Sequence, residues 1–118
     1  MGKNREGFIM TLKEWQKKVY DISVSKGWYD DEVPKSTDVE RHMLIVTEVA
    51  EATEEVRNGK DPIYIVDGKP EGEAIELADA AIRIMDYFES KGWDLEEAIK
   101  MKSDYNETRP YRHGGKKI

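Results

Sequence analysis

The segments EVAE, at residues 48–51, and ELAD, at residues 76–79, each place two carboxylates three residues apart. At about 100° per residue, positions three apart lie on the same side of an α-helix, so each segment presents a pair of acids on one face. Among the four acids, only Asp79 has a cation four residues away, Arg83. Repulsion between unpaired acids destabilises a helix, and the pattern therefore predicts a compensating charge from outside the chain.

A hard divalent cation is the predicted source of that charge. Mg²⁺ takes oxygen ligands and accepts phosphate oxygens in its coordination shell, and Mn²⁺ can substitute for it. The predicted metal ligands are Glu48, Glu51, Glu76 and Asp79. Acids three apart are also common in a chain that is 37% charged, so an ordinary solvated helix face is the alternative interpretation.

The residues around both acid pairs favour packed helices over solvated ones. In residues 38–58 apolar side chains recur at helical spacing, and in residues 73–90 they cover well over half of the helix circumference. A helix that is apolar on several sides packs on several sides. We therefore expect the narrow acidic strip of each helix to face another helix or a cleft, where the four acids can meet.

The helix starts and stops predict an all-α chain, an antiparallel helical bundle of about four helices. Thr11 with Glu14 has the pattern of a capping box, Thr37 or the serine before it begins a second helix, and Asp94 caps a fourth. The sequence SKGW, at residues 25–28 and again at 90–93, predicts two helix ends with the tryptophans as hydrophobic plugs.

Between the second and third helices the sequence predicts an irregular connection. Residues 63–66 are apolar and β-prone, and Asp67 with Gly68 is typical of a tight turn. We expect a short extended piece there, in a loop that runs to Gly72.

Composition limits the fold and the partners. With 118 residues, 38% of them hydrophobic, we expect a single domain, residues 1–118, with a small core that favours self-association. The net charge of −6 argues against nucleic acid as a partner, and the absence of cysteine excludes disulfides and thiolate metal sites. No apolar run predicts a membrane span or a signal peptide, so we expect a cytoplasmic protein without membrane contact.

The C-terminal region concentrates cations. Beyond about residue 110 the chain forms a basic, glycine-containing tail that includes Arg112, His113 and Lys116. Glycines allow backbone N–H groups to approach an anion, and the tail therefore predicts a mobile segment that grips phosphate. A disordered basic tail without a ligand is the alternative.

Taken together, these residues resemble the MazG-like nucleotide pyrophosphohydrolases. The resemblance rests on Glu-x-x-Glu and Glu-x-x-Asp segments, separated by 24 residues, on two helices of a small all-α chain. It extends over nearly the whole sequence: residues 12–28 resemble the family's first helix and residues 69–72 the start of its third. Lys102, Asn106 and Arg109 resemble its C-terminal substrate motif.

The resemblance implies a homodimer or homotetramer with Mg²⁺ as cofactor. The implied reaction is hydrolysis of a (deoxy)nucleoside triphosphate between the α and β phosphates to a monophosphate and pyrophosphate, as in house-cleaning of the nucleotide pool. Glu48 or Glu51 is the expected catalytic base, and the residues leave that choice open. Trp15 stacks on the base in this interpretation, although a tryptophan at its position is more often part of the core.

Two other classes compete with this interpretation. A carboxylate-bridged di-iron bundle requires Glu-x-x-His, and neither His42 nor His113 has that spacing. A non-catalytic helical module, which senses nucleotides or binds a partner, needs the same fold but not all four acids. Retention of all four favours an enzyme.

Overall fold

The computed structural model describes residues 9–32 and 34–118, which form five helices and one antiparallel β-hairpin. The elements are α1 (Leu12–Ser25), α2 (Asp38–Arg57), β1 (Tyr64–Val66), β2 (Lys69–Glu71), α3 (Glu73–Lys91), α4 (Leu95–Glu107) and the single turn α5 (Arg112–Gly115). The chain is mainly α-helical, as predicted. The hairpin adds a small β element that an all-α class leaves out, although its first strand and turn lie where the extended piece was expected.

The predicted helix starts are confirmed. The hydroxyls of Thr11 and Thr37 each accept a hydrogen bond from the backbone N–H three residues on. The glutamate at that position accepts a bond from the threonine's own backbone N–H, so both are complete capping boxes. The Asp94 carboxylate caps α4 by accepting from the Glu97 backbone N–H. Local sequence therefore fixes where α1, α2 and α4 begin.

The two SKGW segments end α1 and α3, as predicted, but the tryptophans differ. Gly92 has the left-handed backbone of a helix cap, and the Trp93 backbone N–H donates to the Phe88 carbonyl at 2.9 Å. The Trp93 ring packs edge-on against Tyr87 and Phe88. Trp28 is 69% exposed, against 52% for Trp93, and within the described residues its ring has no aromatic partner, so its prediction as a plug is wrong.

Helix α3 lies at the centre of the packing. It contacts α2 and α1, while α4 packs against α1. Ion pairs from Lys91 to Asp38 and from Arg83 to Glu48 show that α2 and α3 run antiparallel. The buried Gln16 side chain of α1 connects to both α3 and α4. Its amide nitrogen donates to the Glu89 carboxylate and to the Trp93 carbonyl, and its amide oxygen accepts from the Leu95 backbone N–H.

The core of the single chain is small. Its buried apolar residues are Val19, Ala52, Ala80 and Tyr87. In the part of the chain that the structure describes, one side of α2 carries apolar side chains that are about half exposed or more: Val39, Met43, Val46, Val49 and Val56. Among the described residues, α2 therefore leaves more large apolar side chains exposed than α3, where Leu77 and Ile82 are exposed.

The hairpin determines how α3 begins. Gly72 has φ of 117°, and a Cβ there would overlap the Pro62 carbonyl oxygen. The same carbonyl accepts a hydrogen bond from the Ala74 backbone N–H at 3.0 Å. Only glycine permits this close approach, which fixes the first turn of α3 and with it Glu76.

None of the helices in the described ranges has the length and apolar character that crossing a bilayer requires.

Candidate metal centre and adjoining cavity

Three carboxylates from the two acidic segments converge between α2 and α3. Glu48 projects from α2, and Glu76 and Asp79 project from adjacent turns of α3. One oxygen of each of the three lies within 4.8 Å of the others. We call these three residues the carboxylate cluster. The meeting of acids across two helices is thus present for three of the four predicted ligands.

Glu51, the fourth predicted ligand, lies beside this group. It is exposed and is not among the three converging carboxylates. Its charge nevertheless reaches Glu76, where it adds to the rise in that side chain's pKa. Glu51 is therefore a neighbour of the carboxylate cluster with a side chain open to solvent.

The electrostatics of the carboxylate cluster oppose full ionisation. Burial, followed by the negative charges of Glu51, Asp79 and Glu48, raises the pKa of Glu76 above its ordinary value. The position of Glu76 therefore favours uptake of positive charge, whether a proton or a cation.

A single arginine approaches the cluster from within the described residues. Arg83 Nε lies 3.6 Å from Glu48 Oε1. The Glu48 side chain is 11% exposed and that of Arg83 is 45% exposed, so the arginine reaches a buried acid from the solvent side. One cation beside three acids leaves the cluster with net negative charge.

The carboxylate cluster borders a cavity of about 650 Å³. Glu48 and Asp79 line one part of it, and its wall also includes Trp28, Tyr29, Lys35, Leu44, Ile82, Arg83 and Asp86. Its volume lies within the range of about 300–1,000 Å³ that small-molecule sites occupy in proteins. The cavity therefore combines acids, aromatic rings and apolar side chains in a space large enough for a small molecule.

A second polar group lies further along the same cavity. Arg41 Nη2 lies 3.8 Å from Asp86 Oδ2, and the Tyr29 hydroxyl donates to Asp86 Oδ1 at 2.9 Å. The Ser23 hydroxyl also donates to Asp86, and Arg41 donates to the hydroxyl oxygens of Tyr29 and Ser90. We call these five residues the Arg41 cluster. They tie α1, α2, α3 and the segment after α1 together.

The two clusters have related positions. Arg41 and Glu48 are seven residues apart on α2, and Asp79 and Asp86 are seven apart on α3. Seven residues are two helical turns, or about 10 Å. Each helix therefore presents both clusters on one face, and the cavity joins them.

The sequence predicted no site role for Arg41 or Tyr29, and it predicted Trp28 only as a hydrophobic plug. The spacing of seven between Arg41 and Glu48 is a signal for the first of these, since it places both on one face of α2. No comparable signal exists for Tyr29 and Trp28, because the segment after α1 has no helical period.

The carboxylate cluster fits a hard divalent cation. Its donors are all oxygens, and the three converging oxygens lie close enough for small side-chain adjustments to bring them onto one ion. The residues that would hold the cation are Glu48, Glu76 and Asp79, with Glu51 adjacent. Burial, and then repulsion from the neighbouring acids, raises the pKa of Glu76, and a cation would relieve that repulsion.

The predicted substrate residues of α4 lie elsewhere in the single chain. Lys102 and Asn106 are on α4, which packs against α1. The Lys102 ammonium and the Arg109 guanidinium lie over the Tyr105 ring, 5.0 and 5.9 Å from its centroid. Among the described residues, these three do not line the cavity, and their substrate role stays a prediction.

Trp15 and the tail also lie outside the cavity wall. Trp15 is 44% exposed with the Lys18 ammonium 5.3 Å from its ring, so it is not a core residue. Arg112, His113 and Lys116 are exposed, and both Arg112 and His113 have left-handed backbone with φ of 53°. The structure does not bring these residues to the acids.

No protein-family model, curated protein or solved structure matches the chain.

Proposed function

We propose that this chain is a Mg²⁺-dependent nucleoside triphosphate pyrophosphohydrolase of the MazG-like type. The observation that carries the proposal is the convergence of Glu48, Glu76 and Asp79 at the edge of a cavity large enough for a nucleotide. Phosphoryl transfer depends mainly on positioning and on neutralising charge at the phosphate. A cluster of hard oxygen ligands beside such a cavity suits that chemistry.

Each acid has a proposed role. Glu48, Glu76 and Asp79 would hold the cation beside the bound phosphates. A divalent cation held by these residues would supply positive charge to the phosphate oxygens and lower the pKa of a coordinated water. Glu51 accepts the proton from the attacking water, because it is solvent-accessible and outside the three converging ligands yet close enough for its charge to act on Glu76.

The other half of the cavity receives the nucleoside. Trp28 and Tyr29 supply aromatic surface at its wall, and Leu44 and Ile82 supply apolar surface. Aromatic side chains stack on bases with little sequence preference. In this proposal Trp28 takes the stacking role that the sequence gave to Trp15.

The proposed assembly is a homo-oligomer with the fold of a helical bundle. The exposed apolar side chains of α2 form a strip along one side of the helix, from Val39 to Val56, which Thr53 interrupts. Leaving that strip in water is unfavourable, and large exposed apolar patches mark association sites. A second copy covers it, and light scattering at micromolar concentration tests this, with a monomeric mass as the contrary result.

The tail closes over the phosphates in this proposal. It has the cations and glycines to bind an anion, and its described part is exposed. Truncation after Pro110 should weaken triphosphate binding and reduce its salt dependence without changing the oligomer. An unchanged Michaelis constant would exclude the tail from binding.

The deciding experiment measures the products from a panel of nucleoside triphosphates with Mg²⁺. Pyrophosphate and monophosphate should form in equal amounts, and Glu48→Gln should abolish the reaction. The matched control is Glu54→Gln on the same helix, whose side chain is exposed and pairs with Arg57. A diphosphate as the main early product would indicate γ-phosphate cleavage and a different class of enzyme.

A non-catalytic nucleotide-sensing or partner-binding module is the second candidate. The observation in its favour is the distance of the predicted C-terminal substrate residues from the cavity. Such a module and an enzyme would both gain thermal stability from Mg²⁺ with a non-hydrolysable triphosphate. Only the enzyme releases pyrophosphate from the natural nucleotide.

A further inference from the structure

Arg83 is the cation that the fold places beside the carboxylate cluster. It lies one turn after Asp79 on α3, and its Nε is 3.6 Å from Glu48 Oε1. In the described part of the chain, Glu48 is its ion-pair partner and no hydrogen bond fixes its guanidinium. The guanidinium also lines the cavity. Arg83 thus touches both the proposed metal ligands and the space proposed for the substrate.

Arg83 is held much more loosely than Arg41, the other arginine between these helices. Arg41 donates hydrogen bonds to Ser90 and Tyr29 and lies over the Tyr87 ring, with a side chain that is 21% exposed. Arg83 has one long ion pair and is 45% exposed. The Glu48 side chain is 11% exposed, but Arg83 reaches it from the solvent side without an aligned hydrogen bond in the described residues, so the ion pair is weak and little free energy is needed to separate it.

A divalent cation and Arg83 compete for the same acid. Glu48 contributes an oxygen to the three converging carboxylates and also pairs with Arg83. A cation held by Glu48 and Asp79 repels the guanidinium and takes over its partner. The freed guanidinium remains at the cavity wall, where its planar fork matches phosphate oxygens.

We propose that Arg83 is an exchangeable counter-ion: it pairs with Glu48 in the metal-free chain and transfers to the substrate's phosphates once a divalent cation occupies the carboxylate cluster. This inference rests on the proposed function of the same site. It makes Arg83 a positioning and phosphate-binding residue, and it couples metal loading to substrate binding.

The first measurement is the affinity for Mn²⁺ without nucleotide, for which electron paramagnetic resonance detects the free ion. Arg83→Gln removes the competitor and should tighten Mn²⁺ binding roughly two- to fivefold, as expected for a partly exposed pair. Arg57→Gln is the matched control, since Arg57 pairs with the exposed Glu54 on the same chain, and it should leave the affinity unchanged. Glu48→Gln should lose the Mn²⁺ binding that belongs to the carboxylate cluster, which distinguishes it from binding elsewhere on the chain.

The second measurement separates this role from simple packing. Arg83→Gln should lower the melting temperature in a chelator, where the acids lose the cation that pairs with Glu48, and should leave it near that of the wild type in saturating Mn²⁺. An equal fall in both conditions would show that Arg83 only packs, which would overturn the proposal.

The third measurement is pyrophosphate binding to the Mn²⁺-saturated protein by calorimetry, which needs no turnover. Arg83→Gln should weaken it about tenfold, the effect of losing a charged hydrogen-bonding partner. Arg83→Lys keeps the charge without the bidentate fork and should recover part of the loss.

The outcomes distinguish this inference from the proposed function. If the wild type binds Mn²⁺ through Glu48 and Arg83→Gln changes neither Mn²⁺ nor pyrophosphate affinity, the exchange is wrong and the metal centre stands. If the wild type binds no Mn²⁺, the proposed metal centre fails and the inference fails with it.

Discussion

The two polar clusters between α2 and α3 differ in how their charges are balanced. In the Arg41 cluster one guanidinium meets one carboxylate, and hydroxyls of Tyr29, Ser23 and Ser90 complete the hydrogen bonds. In the carboxylate cluster three acids share one loosely held arginine. The first cluster is a satisfied network, whereas the second has excess negative charge.

The difference indicates separate roles for two neighbouring parts of one helix pair. Buried polar groups stabilise a fold when every partner is present, and they destabilise it when charge is left over. The Arg41 cluster therefore holds α1, α2 and α3 in place. The acids of the carboxylate cluster repel one another, and added positive charge would relieve that repulsion.

The largest expected effect comes from removing an acid of the carboxylate cluster. Asp79→Asn should reduce pyrophosphate release at least about a hundredfold, since it removes a proposed ligand of the cation that would stabilise charge at the reacting phosphate. The melting temperature in a chelator should stay the same or rise, because repulsion is relieved. Pyrophosphate assays and thermal melts check this, with Glu54→Gln as control, and near-normal turnover would contradict the four-acid site.

The opposite pattern is expected for the Arg41 cluster. Arg41→Gln leaves Asp86 without its cation, and we expect a loss of about 2–3 kcal/mol in the free energy of unfolding, toward the low end of such losses because the pair is about one-fifth exposed. Urea denaturation measures this. Lys17→Gln, which breaks the exposed pair with Asp21, is the control and should cost much less. Equal losses for the two variants would mean that the Arg41 cluster stabilises the fold no more than a surface ion pair does.

The start of α3 links the hairpin to the carboxylate cluster. Gly72→Ala should cost about 1–3 kcal/mol and also weaken Mn²⁺ binding, because relieving the overlap with the Pro62 carbonyl shifts the turn that carries Glu76. Gly59→Ala is the control: Gly59 also has positive φ, but nothing lies within 4 Å of its added Cβ. Unchanged Mn²⁺ affinity in Gly72→Ala would show that the close approach at Gly72 does not position the carboxylate cluster.

The smallest effect concerns Tyr29 and depends on pH. Burial, and then the hydrogen bond to Asp86, raises the pKa of Tyr29 above its ordinary value. Stabilisation by the neutral hydroxyl is therefore fully present below the ordinary tyrosine pKa and is lost as the pH rises through the raised pKa. Tyr29→Phe should cost about 1 kcal/mol at neutral pH, with a smaller difference in alkaline solution.

Urea denaturation at neutral and alkaline pH measures that difference, and Tyr111→Phe is the control because Tyr111 is exposed. If the loss of unfolding free energy in Tyr29→Phe does not change with pH, ionisation of the Tyr29 hydroxyl does not affect the stability of the Arg41 cluster.

The local features of the fold were predictable from the sequence. Thr11, Thr37 and Asp94 cap helices where their side chains predict it, and Gly92 ends α3. Caps depend on residues three or four positions apart, so a short sequence window contains all the relevant atoms. The hairpin was predicted only in its first half, because Pro70 in the second strand is atypical of strands.

The candidate site was predictable only in part. The spacing of Glu76 and Asp79 guarantees that they share a face of α3, and their meeting with Glu48 agrees with the prediction that acidic strips face each other. The exposure of Trp28 and the partnership of Arg41 with Asp86 were not predictable, because each depends on where a different helix lies.

By itself, the sequence determined which stretches are helical, where most of them begin and end, and that two pairs of acids each lie on one helix face. Only the tertiary structure decided that Glu48 meets Glu76 and Asp79 while Glu51 lies beside them, and that a cavity connects this cluster to Arg41. Helix periodicity is a property of neighbours along the chain. The register between α2 and α3 is set by packing across the interface, where contacts join residues about 35 to 50 positions apart, as from Glu48 to Arg83 and from Arg41 to Ser90.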